Sequence, residues 1–160
     1  MSSKTPIQWK KDKHGTHFVG SDTVNLQVDH FPHSRYPAPY MWRVNPGRGF
    51  IGCRTWGYTK DLRSAKRKAA NAATEFLKKT LESTWPAETD ETAWLHKGLW
   101  VARVRHPAVG IFLEVTYSHF MMRSVYEKVM KSVEAARRAA VKFIDRRIKA
   151  EMKAISNLAV

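Results

Sequence analysis

At 160 residues and 43% hydrophobic, with no apolar run near the roughly 20 residues of a membrane span, the chain reads as globular, holding one good core or two small ones. A net charge of +14 and a pI near 10.2 point to a polyanionic partner, nucleic acid before membrane. The single cysteine, Cys53, excludes an internal disulfide and a cysteine-based zinc site and fits a reducing, intracellular compartment.

The surplus charge is shared: residues 1–84 hold 15 Lys and Arg against 6 acids, residues 85–160 hold 13 against 8. Residues 1–16 are polar, with Lys4, Lys10, Lys11 and Lys13 around Ile7 and Trp9, and read as a frayed terminus or as a basic arm that orders on phosphates. The opening Met1-Ser-Ser-Lys-Thr-Pro carries no apolar signal region, so a cytoplasmic location is expected, in the host cell for a viral chain, with nucleoid association as a variant. From Val24 to Phe31 apolar and polar residues alternate, which predicts a half-buried strand, and the three prolines of 32–39 predict a loop. Strands at about 40–44 and 50–56 follow, joined by Asn45-Pro-Gly-Arg-Gly49, where Pro46 and Gly47 suit the second and third positions of a turn.

Asp61 is placed to cap a helix over 62–82. Leu62, Ala65, Ala69, Ala72, Ala73, Phe76 and Leu77 form its buried stripe, and Arg67, Asn71, Thr74 and Lys78 its wet face. Residues 83–97 break the composition with Glu88, Asp90 and Glu91 between Trp85 and Trp94, and read as a linker. Gly98 to Pro107 then predicts a strand with Trp100, Ala102 and Val104 on one side and Val101, Arg103 and Arg105 on the other; 110–117 returns beside it. Beyond it the periodicity predicts helix over about 119–156, with Val125, Val129, Val133, Ala136, Ala140, Phe143, Ile144, Ile148, Met152 and Ile155 as its stripe. Unbroken, that helix is about 55 Å long, longer than a 75-residue unit covers. Its Met121-Met122 start is then a separate turn, or its end packs on the first unit or on a second chain.

Pro46 and Pro107 are each followed three residues later by glycine. Ala69, Ala72, Ala73, Phe76, Leu77 and Leu81 match Ala136, Ala139, Ala140, Phe143, Ile144 and Ile148. An internal duplication is the reading. The expected architecture is α+β: two repeated units, each a small antiparallel sheet of two to three strands on an Ala-rich helix, the second helix long. Residues 1–84 form the first unit with its basic arm, 85–97 the acidic linker and 98–160 the second unit.

Arg103 and Arg105 stand about 7 Å apart on one strand face, within reach of phosphates or base edges. With them, Arg43, Arg48, Arg54, Arg63, Lys66, Arg67, Arg137 and Arg138 are the candidate nucleic-acid contacts. His14 and His17, and His30 and His33, have ligand-like spacing but no cysteine partner, so no metal and no cofactor is expected. No phosphate loop, nucleophile elbow or carboxylate pair argues for catalysis, and a non-enzyme is expected.

Gly98-Leu-Trp-Val-Ala-Arg-Val-Arg-His-Pro107 resembles the second strand of the plant APETALA/ethylene-response-factor DNA-binding domain, which is similar to the arm-type domain of phage integrases. Ser132 to Ala140 resembles the start of that family's helix, and Trp56-Gly57-Tyr58 with Ala65, Ala72 and Ala73 its spacing from third strand into helix. The resemblance implies a three-stranded sheet laid in the DNA major groove, Arg103 and Arg105 contacting DNA and Trp100 in the core. The second unit lacks the family's first strand and its glycine before the helix, and Arg43 is one place off register. Ala65 to Ala73 is also similar to the last helix of double-stranded-RNA-binding domains. The expected function is therefore non-catalytic nucleic-acid binding, duplex DNA ahead of RNA, in a phage or mobile-element protein. The alternatives are a double-stranded-RNA-binding protein and a small viral or mobile-element protein that binds and inhibits a host protein. A homodimer or protein contact through the C-terminal helix is also open.

Overall fold

Four strands and a helix occur twice among the described residues, with one further short strand ahead of the first set. The computed structural model describes residues 7–21, 23–32, 35–46, 55–82, 94–97, 100–105, 110–117 and 124–158. The first sheet is an antiparallel meander of β1 (Lys10–Lys11), β2 (His17–Gly20), β3 (Val24–His30), β4 (Tyr40–Pro46) and β5 (Thr55–Thr59), followed by α1 (Leu62–Glu82). The second is β6 (Trp94–Lys97), β7 (Trp100–Arg105), β8 (Ile111–Tyr117) and β9 (Ser124–Met130), followed by α2 (Val133–Ser156). This is the expected α+β pair of sheet-and-helix units, with sheets of five and four strands in place of two or three. The extra strands are β1 and β2, short and bearing a single buried residue, Val19, β6, on residues assigned to the linker, and β9, on residues assigned to the second helix.

The first compact unit comprises residues 1–78 and 150–160, the second 79–149. In the first, alternation sends Val24, Leu26 and Val28 of β3, Trp42 and Val44 of β4 and Val19 of β2 to one face, all buried. Ala65, Ala69, Ala73 and Leu77 form the buried stripe of α1, and the alanines let helix and sheet lie close. The last turns of α2 add Ile155 and Leu158, and there Glu151 is buried with its Oε2 accepting the Thr23 N–H at 3.1 Å and lying 3.2 Å from Ser21 Oγ. Gly57 is opposite Trp42 in the ladder, and its missing side chain leaves room for the indole.

In the second unit Trp100, Ala102 and Val104 are buried with Leu113 and Val115, and Ala136, Ala140, Ile144 and Ile148 pack from α2. Phe143 sits edge-on to Trp100 at 6.4 Å and stacks on Tyr126 at 4.7 Å. The helix expected from 119 is corrected here: 124–130 is β9, 119–123 lie outside the described residues, and α2 starts at Val133. Val125 and Val129, placed in the helix stripe by their four-residue spacing, are 44% and 67% exposed on the strand. Alternating Tyr126, Lys128 and Met130 against Glu127 and Val129 suits a pleated edge, and Ser132 starts the helix by accepting the Ala135 N–H at 3.1 Å.

The repeat is present, with a register different from the one the turns suggest. Tyr40 faces Thr59 and Trp42 faces Gly57 as Ile111 faces Met130 and Leu113 faces Lys128. Leu26 lies between Val19 and Val44 as Ala102 lies between Leu95 and Val115. Thus β2 to β5 correspond to β6 to β9, and the Pro46 turn has no counterpart in the Pro107 turn, which joins a different pair of strands. Both helices follow a two-residue link, Lys60-Asp61 or Lys131-Ser132, and bury the residue four beyond each cap, Ala65 or Ala136. The helices therefore align one turn away from the match of Ala69 with Ala136.

Candidate nucleic-acid interface

Each sheet has a face turned away from its helix. In the first, the residues that face each other across the ladders form a row running over all five strands: Lys10, Phe18, Gln27, Arg43 and Trp56. At about 4.8 Å per strand the row spans roughly 19 Å. Lys10, Phe18 and Trp56 are exposed, Trp56 at 56%. The neighbouring row holds Asp29, Met41 and Tyr58.

Asp29 organises the centre of this face. Its carboxylate accepts Arg43 Nη2 at 2.7 Å, Gln27 Nε2 at 2.9 Å and Thr16 Oγ1 at 2.8 Å, and the residue is buried. A charge-assisted bond of this length fixes the guanidinium, whose side chain keeps 29% of its surface exposed. At the β5 side the rings join into a chain: Trp56 edge-on to Tyr58 at 5.6 Å, Tyr58 stacked on Tyr36 at 5.1 Å, Tyr36 edge-on to Phe31 at 5.6 Å. Tyr36 and Phe31 are exposed as well.

The opposite edge of the first unit is basic in a different way. Lys66 lies over the Trp9 ring at 5.3 Å, a cation–π contact that ties the N-terminal segment to α1. His17, beside it, has its pKa lowered below 6.5 by burial first and then by the charges of Lys66 and Lys11, with Asp12 opposing. Asp61 is held below the ordinary carboxylate range by the Ser64 N–H, which it caps at 2.7 Å.

Within the first unit the described candidates fall on two different surfaces. Arg43 lies on the uncovered face of the first sheet, while Arg63, Lys66 and Arg67 belong to the helix behind it. Arg48 and Arg54 lie outside the described residues, as does the side chain of Arg105. Arg103 faces Glu114, which in turn faces Glu127, so this row of the second sheet carries acids beside its cation. Between the repeats the charges are exchanged: the place of Arg43 is taken by Glu114 and that of Asp29 by Arg105.

Arg138 is exposed, and the structure places it at the head of a stripe that the sequence reading missed. Lys142, Arg146, Lys149 and Lys153 follow it along the solvent side of α2, all exposed, over about 22 Å of helix. Arg137 is half-buried and engaged with a partner. The three- and four-residue spacing of these cations is visible in the sequence, where such a run has the same pattern as an ordinary solvated face.

Among the described residues no group of three His, Cys, Asp or Glu side chains is placed to hold a metal ion, and no helix is long and apolar enough to cross a membrane. Compared with protein-family models, curated proteins and solved structures, the chain matches none of them.

Proposed function

We propose that the protein is a non-catalytic nucleic-acid-binding protein whose phosphate contacts are made by the α2 stripe. The exposed run Arg138, Lys142, Arg146, Lys149 and Lys153 carries this reading, set in a chain of net charge +14. A straight row of cations on a rigid helix follows a phosphate backbone without reading bases, and it releases counterions as it does so. Duplex DNA is its first substrate. The test is a titration of duplex DNA at several salt concentrations with the wild type and with a variant in which Arg138, Lys142, Arg146 and Lys149 are glutamine. Each phosphate contact contributes about 0.9 to the log–log slope, so the variant is expected to flatten it by up to about 3.6. An unchanged slope removes the stripe from the interface, and no binding by the wild type at low salt removes the function.

A second reading, docking on a protein, draws on Val125 and Val129, large apolar side chains left exposed on β9. Replacing both with serine abolishes such docking and leaves DNA affinity unchanged.

A further inference from the structure

The uncovered face of the first sheet carries chemistry that phosphate tracking does not use. Its central row alternates cation, ring, amide, cation, ring: Lys10, Phe18, Gln27, Arg43, Trp56. A ring chain from Trp56 through Tyr58 and Tyr36 to Phe31 extends one end of the row. We propose that this face takes the unpaired bases of a single-stranded nucleic acid, with Trp56 and its ring chain as the stacking surface and Arg43, beside Trp56, and Lys10, at the far end of the row, as the phosphate contacts.

Three observations choose this occupant. Aromatic rings left in water cost solvation free energy, and here four of them are contiguous, with Trp56, Tyr36 and Phe31 exposed by 38% or more. A base offers every ring a π-face whatever its identity, whereas in a duplex the bases are already stacked on one another and withheld. An apolar protein partner is disfavoured by what lies between the rings: Gln27, Arg43 and the buried Asp29 that holds them are groups that an apolar interface would strip of water. The same carboxylate makes Arg43 a pre-set planar donor, since its Nη2 bond to Asp29 fixes the fork before any ligand arrives. Positive net charge supplies the attraction for an anionic strand.

This inference rests on the nucleic-acid reading above, and one experiment separates their failures. Fluorescence anisotropy is measured with an oligothymidylate and an oligouridylate of about 16 nucleotides and with a DNA duplex of similar length, for the wild type, Trp56→Ala and Trp56→Phe. Stacking on one ring is lost in Trp56→Ala, so its single-strand affinity is expected to fall roughly 5- to 150-fold. Its duplex affinity stays within about twofold, and Trp56→Phe recovers most of the loss. The side chain is over half exposed, so circular dichroism and the melting temperature are expected to match the wild type. Weakening of the thymidylate assigns the face to single-stranded DNA; weakening confined to the uridylate assigns it to RNA; either supports the shared stacking chemistry. Equal single-strand affinity in Trp56→Ala and wild type overturns the inference while the duplex titration leaves the function standing. Parallel loss of duplex binding also overturns it, as does a dimer in sedimentation that Trp56→Ala dissolves with oligonucleotide affinity unchanged. A wild type that binds none of the three ligands overturns both.

Discussion

Gly57→Ala tests the packing that sets the first sheet against its helix. A Cβ built at Gly57 lies 3.0 Å from Cε2, Cζ2 and Nε1 of Trp42. Ordinary van der Waals contacts begin at about 3.4–3.5 Å, so the indole has to give way by a few tenths of an ångström. Trp42 is buried beside Val28 in the ladder, and its Nε1 has no hydrogen-bond partner among the described residues. Overpacking of this kind costs about 1–3 kcal/mol, and alanine recovers about 0.5–1 kcal/mol of the strand penalty for glycine. The net is a destabilisation of about 0–2.5 kcal/mol, centred near 1 kcal/mol, and a melting temperature lower by up to roughly 10 °C in a chain of this length. Urea unfolding followed by far-ultraviolet circular dichroism measures it, with Gly20→Ala as control, because that Cβ meets only Asn25 Oδ1 at an ordinary 3.5 Å. Adding Trp42→Phe to Gly57→Ala restores part of the loss, a non-additivity that marks the pair as coupled. Equal stability of Gly57→Ala and wild type, with an unchanged near-ultraviolet tryptophan signal, refutes the reasoning.

Glu151→Ala removes a buried acceptor and strands the Thr23 N–H, so a loss of about 1–3 kcal/mol is expected in the same urea assay, larger than for any exposed glutamate such as Glu75. The lowered pKa of His17 makes folding prefer the neutral imidazole: its contribution is complete above pH 6.5 and is lost as pH falls through the folded-state value. Proton NMR titration of His17 is expected to give a pKa below 6.5 that rises in Lys66→Met while burial still holds it below the ordinary value; a pKa unmoved by that change refutes the contribution assigned to Lys66.

Helix α1 was legible to the residue, since Asp61 offers a cap and the alanines recur every four positions from Ala65. Strands β7 and β8 were legible for the same kind of reason, alternation between clear turn signals. Strand β9 was not: Val125, Val129 and Val133 recur at helical spacing by coincidence, and only the position of the Ser132 cap separates strand from helix. The repeat was detected through its prolines and alanines but misaligned, because the residues that define equivalence have changed together. Trp42 over Gly57 stands where the second repeat has Leu113 beside Lys128, a large-and-absent pair against a medium-and-long one, and at these two positions no similarity of sequence marks the equivalence. The row Lys10, Phe18, Gln27, Arg43 and Trp56 comes from five strands and has no linear pattern; pairing register alone assembles it.

Glu151 and Ser21 stand 130 positions apart in the sequence, and with Ile155 and Leu158 the end of α2 completes a core begun by the first strands. During synthesis β2 to β5 and α1 emerge long before those residues exist, so the first sheet waits, its apolar face incompletely covered, while the whole second repeat is made. A duplication ordinarily yields two modules that can be lent separately to other proteins. Here the first copy has surrendered that independence to the second, and the order in which the chain is made is the reverse of the order in which its first half is finished.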